Sequence, residues 1–380
     1  MTLAAAAKLH LAVLFGGRSC EHEVSVTSAK SLLEGGAIPE SKCDLTLVGI
    51  SRSGRWFLVE EPAAVFAAGR VEDDCGLPLV MLDHCGGRRL VAAGGAGGGE
   101  GDGLHYRPLD VVFPLLHGPG GEDGTVQGLL ALAGIACVGS GVGGSAAAMD
   151  KETAKLLCAA ASLPQTEYRT VRHWQWRDSA DEAVADLAAL GRPLFVKPAN
   201  MGSSVGVRKV DGEAELRGAL EFAFQFDLKV IVERAAEGFR EIECSVLGND
   251  RPRASVAGEI VPGREFYDYE TKYLDGKSQL LIPAPVAAGT QRRIQQLSLQ
   301  VFQAVGAEGM ARVDFFLSRD EQTLLVNEIN TIPGFTPISM YPKLWQASGL
   351  HYGELVEELL RLAMQRRRRR DQLQVKINLV

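Results

Sequence analysis

The chain opens on the apolar run "LHLAVLF", passes through the helical stretch "EVSVTSAKSLLEG", and returns to a strand in "DLTLVGI". Strand and helix signals keep alternating through "DVVFPLLHG", "TVQGLLALAG" and "IACVGS". That alternation predicts a parallel-sheet α/β unit. Beyond it the pattern predicts a helix over 145–161, two strands within "PLFVKPANMGSSVGVRKV", a helix over 213–226 and the strand "KVIVERA". A last unit holds strands around 243–247, the loop "GREFYDYETKYLDGKSQ", a helix near 291–305 and a closing hairpin. No internal repeat is visible.

The hairpin "ARVDFFLSRDEQTLLVNEIN" has period two. Arg312, Asp314 and Phe316 fall on one face, and Val313, Phe315 and Leu317 on the other. After a polar turn, Leu324, Val326, Glu328 and Asn330 share a face, so pairing about Glu321 sets Asp314 opposite Glu328. Facing like charges destabilise a sheet. The apolar company of Phe316, Leu324 and Val326 argues for burial, and buried carboxylates need a counter-charge. With the neutral oxygen of Asn330 the set is hard and oxygen-only, which suits Mg²⁺, an ion that keeps waters and shares substrate phosphates. A solvated outer face explains the same pattern, and the residues alone leave both readings open.

Composition narrows the classes. The chain has 380 residues, 46% hydrophobic and 23% charged, enough for two or three domains with sizeable cores. A net charge of −7 speaks against a nucleic-acid partner. The basic run "QRRRRRD" follows the amphipathic "ELVEELLRLAM" and reads as a solvated helix end and tail. No apolar run approaches a membrane span, and the opening residues lead straight into a strand, so a cytoplasmic protein is expected. Seven cysteines without a CxxC pair fit reduced thiols, most of them in the core. The glycine-rich 92–103 reads as a flexible surface insertion.

Four glycine-bearing loops carry candidate chemistry. "GSGVGG" fits GxGxxG, but no acidic residue closes a second strand about twenty residues on, which argues against a dinucleotide site. In "KPANMGSSVGVRKV" Lys197 ends a strand and the loop leads into another strand, which excludes a Walker-type loop. It describes a hairpin tip over nucleotide phosphates, with backbone N–H groups of Gly202, Ser203 and Ser204 as donors and Lys197 as a point charge; a tight surface turn is the alternative. "HGPGGEDGTVQG" enters a helix near Thr125, whose free N–H groups favour an anion or simply an N-cap turn. "FGGRSCEHEVS" puts Glu21 at a helix start, where capping alone accounts for it.

Taken together these stretches resemble the D-alanine:D-alanine ligases, ATP-grasp enzymes of bacterial cell-wall synthesis. "GGRSCEHEVS", "HGPGGEDGTVQG", "MDK", "VKPANMGSSVGV", "FYDYETKY", "ARVDFF" and "NEINTIPGFTPISMYP" occur in the family's order and approximate spacing over residues 11–360. The glycine-rich insertion and the basic tail depart from the pattern, and neither falls within a motif.

The resemblance implies a three-unit ATP-grasp architecture: an N-terminal Rossmann-like parallel-sheet α/β domain at 1–139, a central subdomain at 140–231 and a C-terminal subdomain at 232–380. It implies that Lys151 and Lys197 contact ATP phosphates, that Glu233 and backbone near Ala236 meet adenine, and that Glu241 holds the ribose. Asp314, Glu328 and Asn330 would hold two Mg²⁺ ions, for which Mn²⁺ could substitute. Arg312 and the Gly334 N–H would stabilise an oxyanion. Glu21 would grip the first D-alanine's ammonium with His117 nearby, Ser339 and Lys272 the second substrate's carboxylate, and Ser203 and Tyr273 would join Glu21 in one network. The family is usually dimeric. Its alternatives are D-alanine:D-serine or D-alanine:D-lactate ligation, against which "YDYETKY" looks like the dipeptide type, and, from another class, a nucleotide-binding module without catalysis.

Overall fold

A computed structural model describes residues 8–83, 88–93, 104–262, 278–337 and 339–374. Lys272, Tyr273 and the insertion at 94–103 lie outside the described residues.

The first sheet has eight strands: β1 (Leu9–Gly16), β2 (Cys43–Ile50), β3 (Trp56–Leu58), β4 (Leu77–Asp83), β5 (Arg89–Ala93), β6 (Leu104–Pro108), β7 (Val111–Pro114) and β8 (Ala136–Cys137), in the order β6-β5-β4-β3-β2-β1-β7-β8. The expected parallel sheet occupies only one half, β2-β1-β7-β8, while β2 through β6 pair antiparallel. Helix α1 (His22–Glu34) crosses from β1 to β2 and buries Val26 and Leu32 against Leu11, Val13 and Phe15.

The second sheet, β11-β10-β12-β9, consists of β9 (Tyr168–Arg172), β10 (Leu194–Pro198), β11 (Arg208–Val210) and β12 (Lys229–Arg234). The third, β15-β14-β13-β16-β17, consists of β13 (Arg240–Gly248), β14 (Arg253–Val261), β15 (Gln279–Leu281), β16 (Gly309–Leu317) and β17 (Leu324–Asn330). Every pair in both is antiparallel. Among the described residues no helix is long and apolar enough to cross a membrane.

Three local readings change. The single helix expected over 145–161 is two, Val142–Met149 and Lys151–Ala160, because Asp150 leaves helical geometry and caps the second by accepting from the Thr153 N–H at 2.9 Å. Lys151 therefore stands at a helix N-terminus, where the dipole disfavours a cation, and other groups must compensate it.

Arg366 departs from the solvated reading of the arginine run, which holds for the exposed Arg368, Arg369 and Arg370 of the same run. The run ends a C-terminal helix, Tyr352–Asp371, whose Leu355, Leu359 and Leu362 join the core of the first sheet. Arg366 is 8% exposed, and its guanidinium donates to the Cys137 carbonyl at 2.7 Å and to the Gly139 carbonyl, with Glu308 at 3.5 Å. It satisfies carbonyls that β8 leaves open at its end, which a solvated arginine could not do.

The acidic hairpin pairs Asp314 with Glu328 and Arg312 with Asn330, as the alternation predicts, but its register shifts between Asp314 and Phe315, where Val326 pairs with Phe315. The bulge at Asn327 changes which side chains share a face. Leu324 and Val326 go to the core with Val313, Phe315 and Leu317, not with the carboxylates. Glu328 is turned the other way, to line a cavity between the second and third sheets.

Candidate active site

Between the second and third sheets lies a cavity of about 530 Å³. Its walls include Lys197, Gly202, Ser203, Ser204 and Glu328, which the loop and hairpin patterns single out, and Lys151, Ala236 and Glu241, which the family resemblance implies. Phe195, Val207 and Phe316 add apolar surface that the motifs did not flag. Lys197 reaches the cavity because it is next to last on β10, and β10 and β11 form the expected hairpin. The tip between them is held in an unusual backbone: Ser203 and Ser204 have φ of +48° and +59°. Non-glycine residues seldom adopt that region, and such strain gathers at ligand-binding sites.

Glu233 sits behind the cavity wall, 3% exposed, with Lys155 at 3.0 Å from one carboxylate oxygen and Lys197 at 2.6 Å from the other. Burial alone would raise its pKa, but the two ammonium groups outweigh it and bring the value down to about 2. Lys155 also donates to Thr166 Oγ1 at 3.0 Å. It is a buried lysine that no motif identified; its one signal in the sequence is its position, a helical turn after Lys151.

A second cluster forms at the ends of the parallel strands. β1 lies between β2 and β7, so the chain leaves β1 and β7 at the point where strand order reverses, the usual crevice for ligands in such sheets. Ser25 of α1 ties these two ends together, accepting from the Gly16 N–H at 2.8 Å and donating to the Leu115 carbonyl at 2.5 Å. Glu21 follows β1 and His117 follows β7, 5% and 6% exposed. Glu21 is the N-cap residue of α1 but makes no side-chain cap hydrogen bond, so capping does not explain it. Its carboxylate instead accepts from the Ser203 hydroxyl and packs so near Gly202 that an added Cβ there would come within 2.7 Å of it. His117 lies 3.2 Å from Ser28 Oγ, and burial lowers its pKa against the pull of Glu21, which keeps the ring neutral.

The hairpin supplies the third part. Arg312 donates from Nε and Nη2 to both oxygens of Asp314, each at 2.7 Å, and its Nε lies 3.0 Å from Glu243, which faces Asp314 from β13. Asn330 Nδ2 donates to Asp314 at 3.2 Å. Lys151 lies 3.9 Å from Glu328 and donates to the Met201 carbonyl at 2.6 Å, which supplies the compensation its helix position requires. The counter-charge for the paired carboxylates thus comes from the chain's own cations, and Glu243 is a further buried acid that the sequence did not mark. Beyond the hairpin, Gly334 lies against Ser339, where an added Cβ would sit 3.1 Å from Ser339 Oγ. Thr336 Oγ1 is 2.7 Å from the same hydroxyl.

Comparison with known proteins finds one family along most of the chain. Residues 10–140 match the family model of the D-ala D-ala ligase N-terminus, and residues 157–361 match that of the D-ala D-ala ligase C-terminus. A D-alanine–D-alanine ligase of Thermoanaerobacter sp. strain X514 is 47% identical, with 94% of this chain and 97% of that protein aligned. One of Deinococcus radiodurans is 45% identical, covering 95% of this chain and 100% of that protein. The structure of the D-alanine-D-alanine ligase from Coxiella burnetii superposes with a TM-score of 0.80 at 35% identity, covering 97% of each chain. The VanG D-Ala:D-Ser ligase from Enterococcus faecalis does so with 0.79 at 35% identity, covering 94% of this chain and 100% of that one. The chain therefore belongs to the D-alanine–D-alanine ligase family.

Proposed function

We propose that this chain joins two D-alanine molecules with ATP, through a D-alanyl phosphate, to supply D-alanyl-D-alanine for peptidoglycan. The observation that carries the reading is the contact of Ser203 with Glu21. It brings the phosphate-loop candidate, which lines the cavity, into contact with the N-terminal cluster, so that a nucleotide and an amino acid would lie side by side.

In this reading the first D-alanine places its ammonium on Glu21, and a neutral His117 beside it does not repel that charge. Its carboxylate points toward Arg312 and Lys151. Lys151 and Lys197, with the N–H groups of Gly202, Ser203 and Ser204, hold the ATP phosphates; Ala236 backbone and Glu233 serve the adenine and Glu241 the ribose. A carboxylate oxygen of D-alanine bonds to the γ-phosphorus as ADP leaves. The deprotonated amine of the second D-alanine then attacks the acyl carbon, Arg312 and the Gly334 N–H stabilise the oxyanion, and phosphate departs. Ser339 and Lys272 hold the second carboxylate, and Tyr273 joins Ser203 and Glu21 over it.

Asp314, Glu328 and Asn330 fit Mg²⁺: they offer only oxygen ligands, from paired positions of two strands, and the bulge turns Glu328 to the cavity. Bound there, Mg²⁺ or Mn²⁺ would neutralise the transferring phosphoryl group. The same reading makes the protein a cytoplasmic homodimer with units at 1–139, 140–231 and 232–380.

The test is phosphate release with ATP and D-alanine, D-serine or D-lactate offered singly and mixed, with products separated by chromatography. D-Alanyl-D-alanine as the dominant product is expected; preferential use of D-serine or D-lactate would replace the assignment of the second substrate.

A further inference from the structure

Lys155 is a buried cation that the mechanism above does not use. It follows Lys151 by one turn of the helix Lys151–Ala160, so both side chains leave the same face. Their destinations differ. Lys151 lines the cavity, whereas Lys155, 4% exposed, lies behind it. The Lys155 ammonium is 3.0 Å from Glu233 Oε1, donates to Thr166 Oγ1 at 3.0 Å and stands 5.3 Å from the centre of the Tyr168 ring. Tyr168 and Glu233 are paired residues of β9 and β12, so the second sheet fixes both. The main chain of Lys155 is tied to the third sheet. Its carbonyl accepts from Gln165 Nε2 at 2.9 Å, Gln165 bridges to Val326 of β17, and the Val326 N–H donates to the Pro164 carbonyl at 2.8 Å. Lys155 thus links β12 to the strand that carries Glu328.

The two lysines on Glu233 stand on opposite sides of the cavity wall. Lys197 donates to Oε2 at 2.6 Å and lines the cavity; Lys155 holds Oε1 and does not line it. Phosphate oxygens would draw the Lys197 ammonium away from Oε2, and the contact it gives up is then open to the adenine amino group, itself a donor. Lys155 stays as the counter-charge that a buried carboxylate requires. Without Lys155 the same movement of Lys197 would leave Glu233 buried and uncompensated, so Lys197 would be held back from the phosphates.

We infer that Lys155 is a positioning residue for the nucleotide: it fixes Glu233 from behind the cavity, so that Lys197 can move from the carboxylate to the phosphates and Oε2 can take the adenine amino group in its place. Lys155 touches no part of the nucleotide and acts through Glu233. The charge state agrees. With a pKa of about 2, Glu233 is ionised at neutral pH and offers the amino group an acceptor and not an O–H.

The inference rests on the reading of Glu233 as the adenine acceptor and Lys197 as a phosphate ligand, and calorimetric titration of the whole protein with ADP and with IDP, in Mg²⁺, separates the two. IDP carries a carbonyl where ADP carries the amino group, so the wild type is expected to prefer ADP by about tenfold or more. Lys155→Met leaves Glu233 paired with Lys197. It is expected to weaken ADP by about tenfold and IDP by less than about threefold, so that the preference shrinks, while KM for D-alanine stays within about twofold of wild type. If Lys155→Met does not fold, Lys155→Gln, which keeps a donor for Thr166 without the charge, is to show the same change. The inference is overturned if the variant keeps wild-type ADP affinity, if ADP and IDP weaken equally, or if KM for D-alanine rises in parallel, as general loosening of the site would cause. A wild type that binds ADP and IDP alike would remove the adenine reading of Glu233 itself, and the inference with it.

Discussion

The Ser203 hydroxyl donates to the Glu21 carboxylate across 182 positions of sequence. This bond ties the tip of the β10–β11 hairpin to the start of α1. Its acceptor is charged, and such hydrogen bonds contribute about 1.5–3 kcal/mol. Ser203→Ala is expected to lower kcat/KM for D-alanine by about tenfold or more, with the greater loss at the subsite that takes the ammonium. Steady-state kinetics at saturating ATP measure it, and wild-type values would mean that the contact does not organise the site.

Glu328→Gln is expected to reduce turnover to near background while the protein stays folded. Asp314 keeps its bidentate partner Arg312, and removing one of two facing carboxylates relieves their repulsion. The lost attraction to Lys151, 3.9 Å away, offsets that relief, so thermal unfolding should change little. Binding of Mn²⁺ in the presence of nucleotide, followed by electron paramagnetic resonance, reads the metal directly; unimpaired binding and turnover would falsify the metal assignment.

If the hairpin tip covers nucleotide phosphates, ATP and D-alanine should slow amide exchange across Met201, Gly202, Ser203, Ser204 and Val207. Its positive-φ serines make the loop costly to hold without a ligand. Exchange that is indifferent to ATP would leave a plain surface turn.

Glu233 gives the acid limb of stability. Its folded pKa, about 2, lies below the ordinary 4.5, so its contribution is fully present above pH 4.5 and is lost as pH falls toward 2. Glu233→Gln should destabilise the protein at neutral pH, because Lys155 and Lys197 lose their buried counter-charge. The gap between variant and wild type should narrow as the buffer is acidified below pH 4.5. Denaturant titrations at stepped pH test this, and a gap independent of pH would mean that the lysines do not hold the carboxylate ionised.

Arg366→Ala should cost about 3 kcal/mol, since it strips donors from two buried carbonyls and leaves Glu308 without this partner. Urea unfolding measures the loss; a change below about 0.5 kcal/mol, the usual range for exposed substitutions, would restore the reading of a solvated tail.

Much of this molecule was legible in its local patterns. Alternation of strand and helix announces the first sheet, and period two in "ARVDFFL" and "LLVNEIN" sets Asp314 opposite Glu328. These features follow from backbone geometry, which repeats every two residues in a strand and about every 3.6 in a helix, so a short stretch suffices to reveal them. The motif series carried the family for the same reason: each motif is a local segment with its own chemistry.

What stayed hidden depends on partners far away in the chain. The bulge at Asn327 breaks the period that made the hairpin readable, and it alone separates the carboxylates from Leu324 and Val326. Lys155, Glu243, Glu122 and Arg366 look in sequence like ordinary surface charges, and all four are buried. A charge is driven out of solvent only where tertiary packing brings a compensating group within reach: Glu233 for Lys155, Arg312 for Glu243, the Cys137 carbonyl for Arg366. Desolvation and its compensation are properties of the assembled interior, and no stretch of the chain contains both halves of that arrangement for the pairs that join its distant segments.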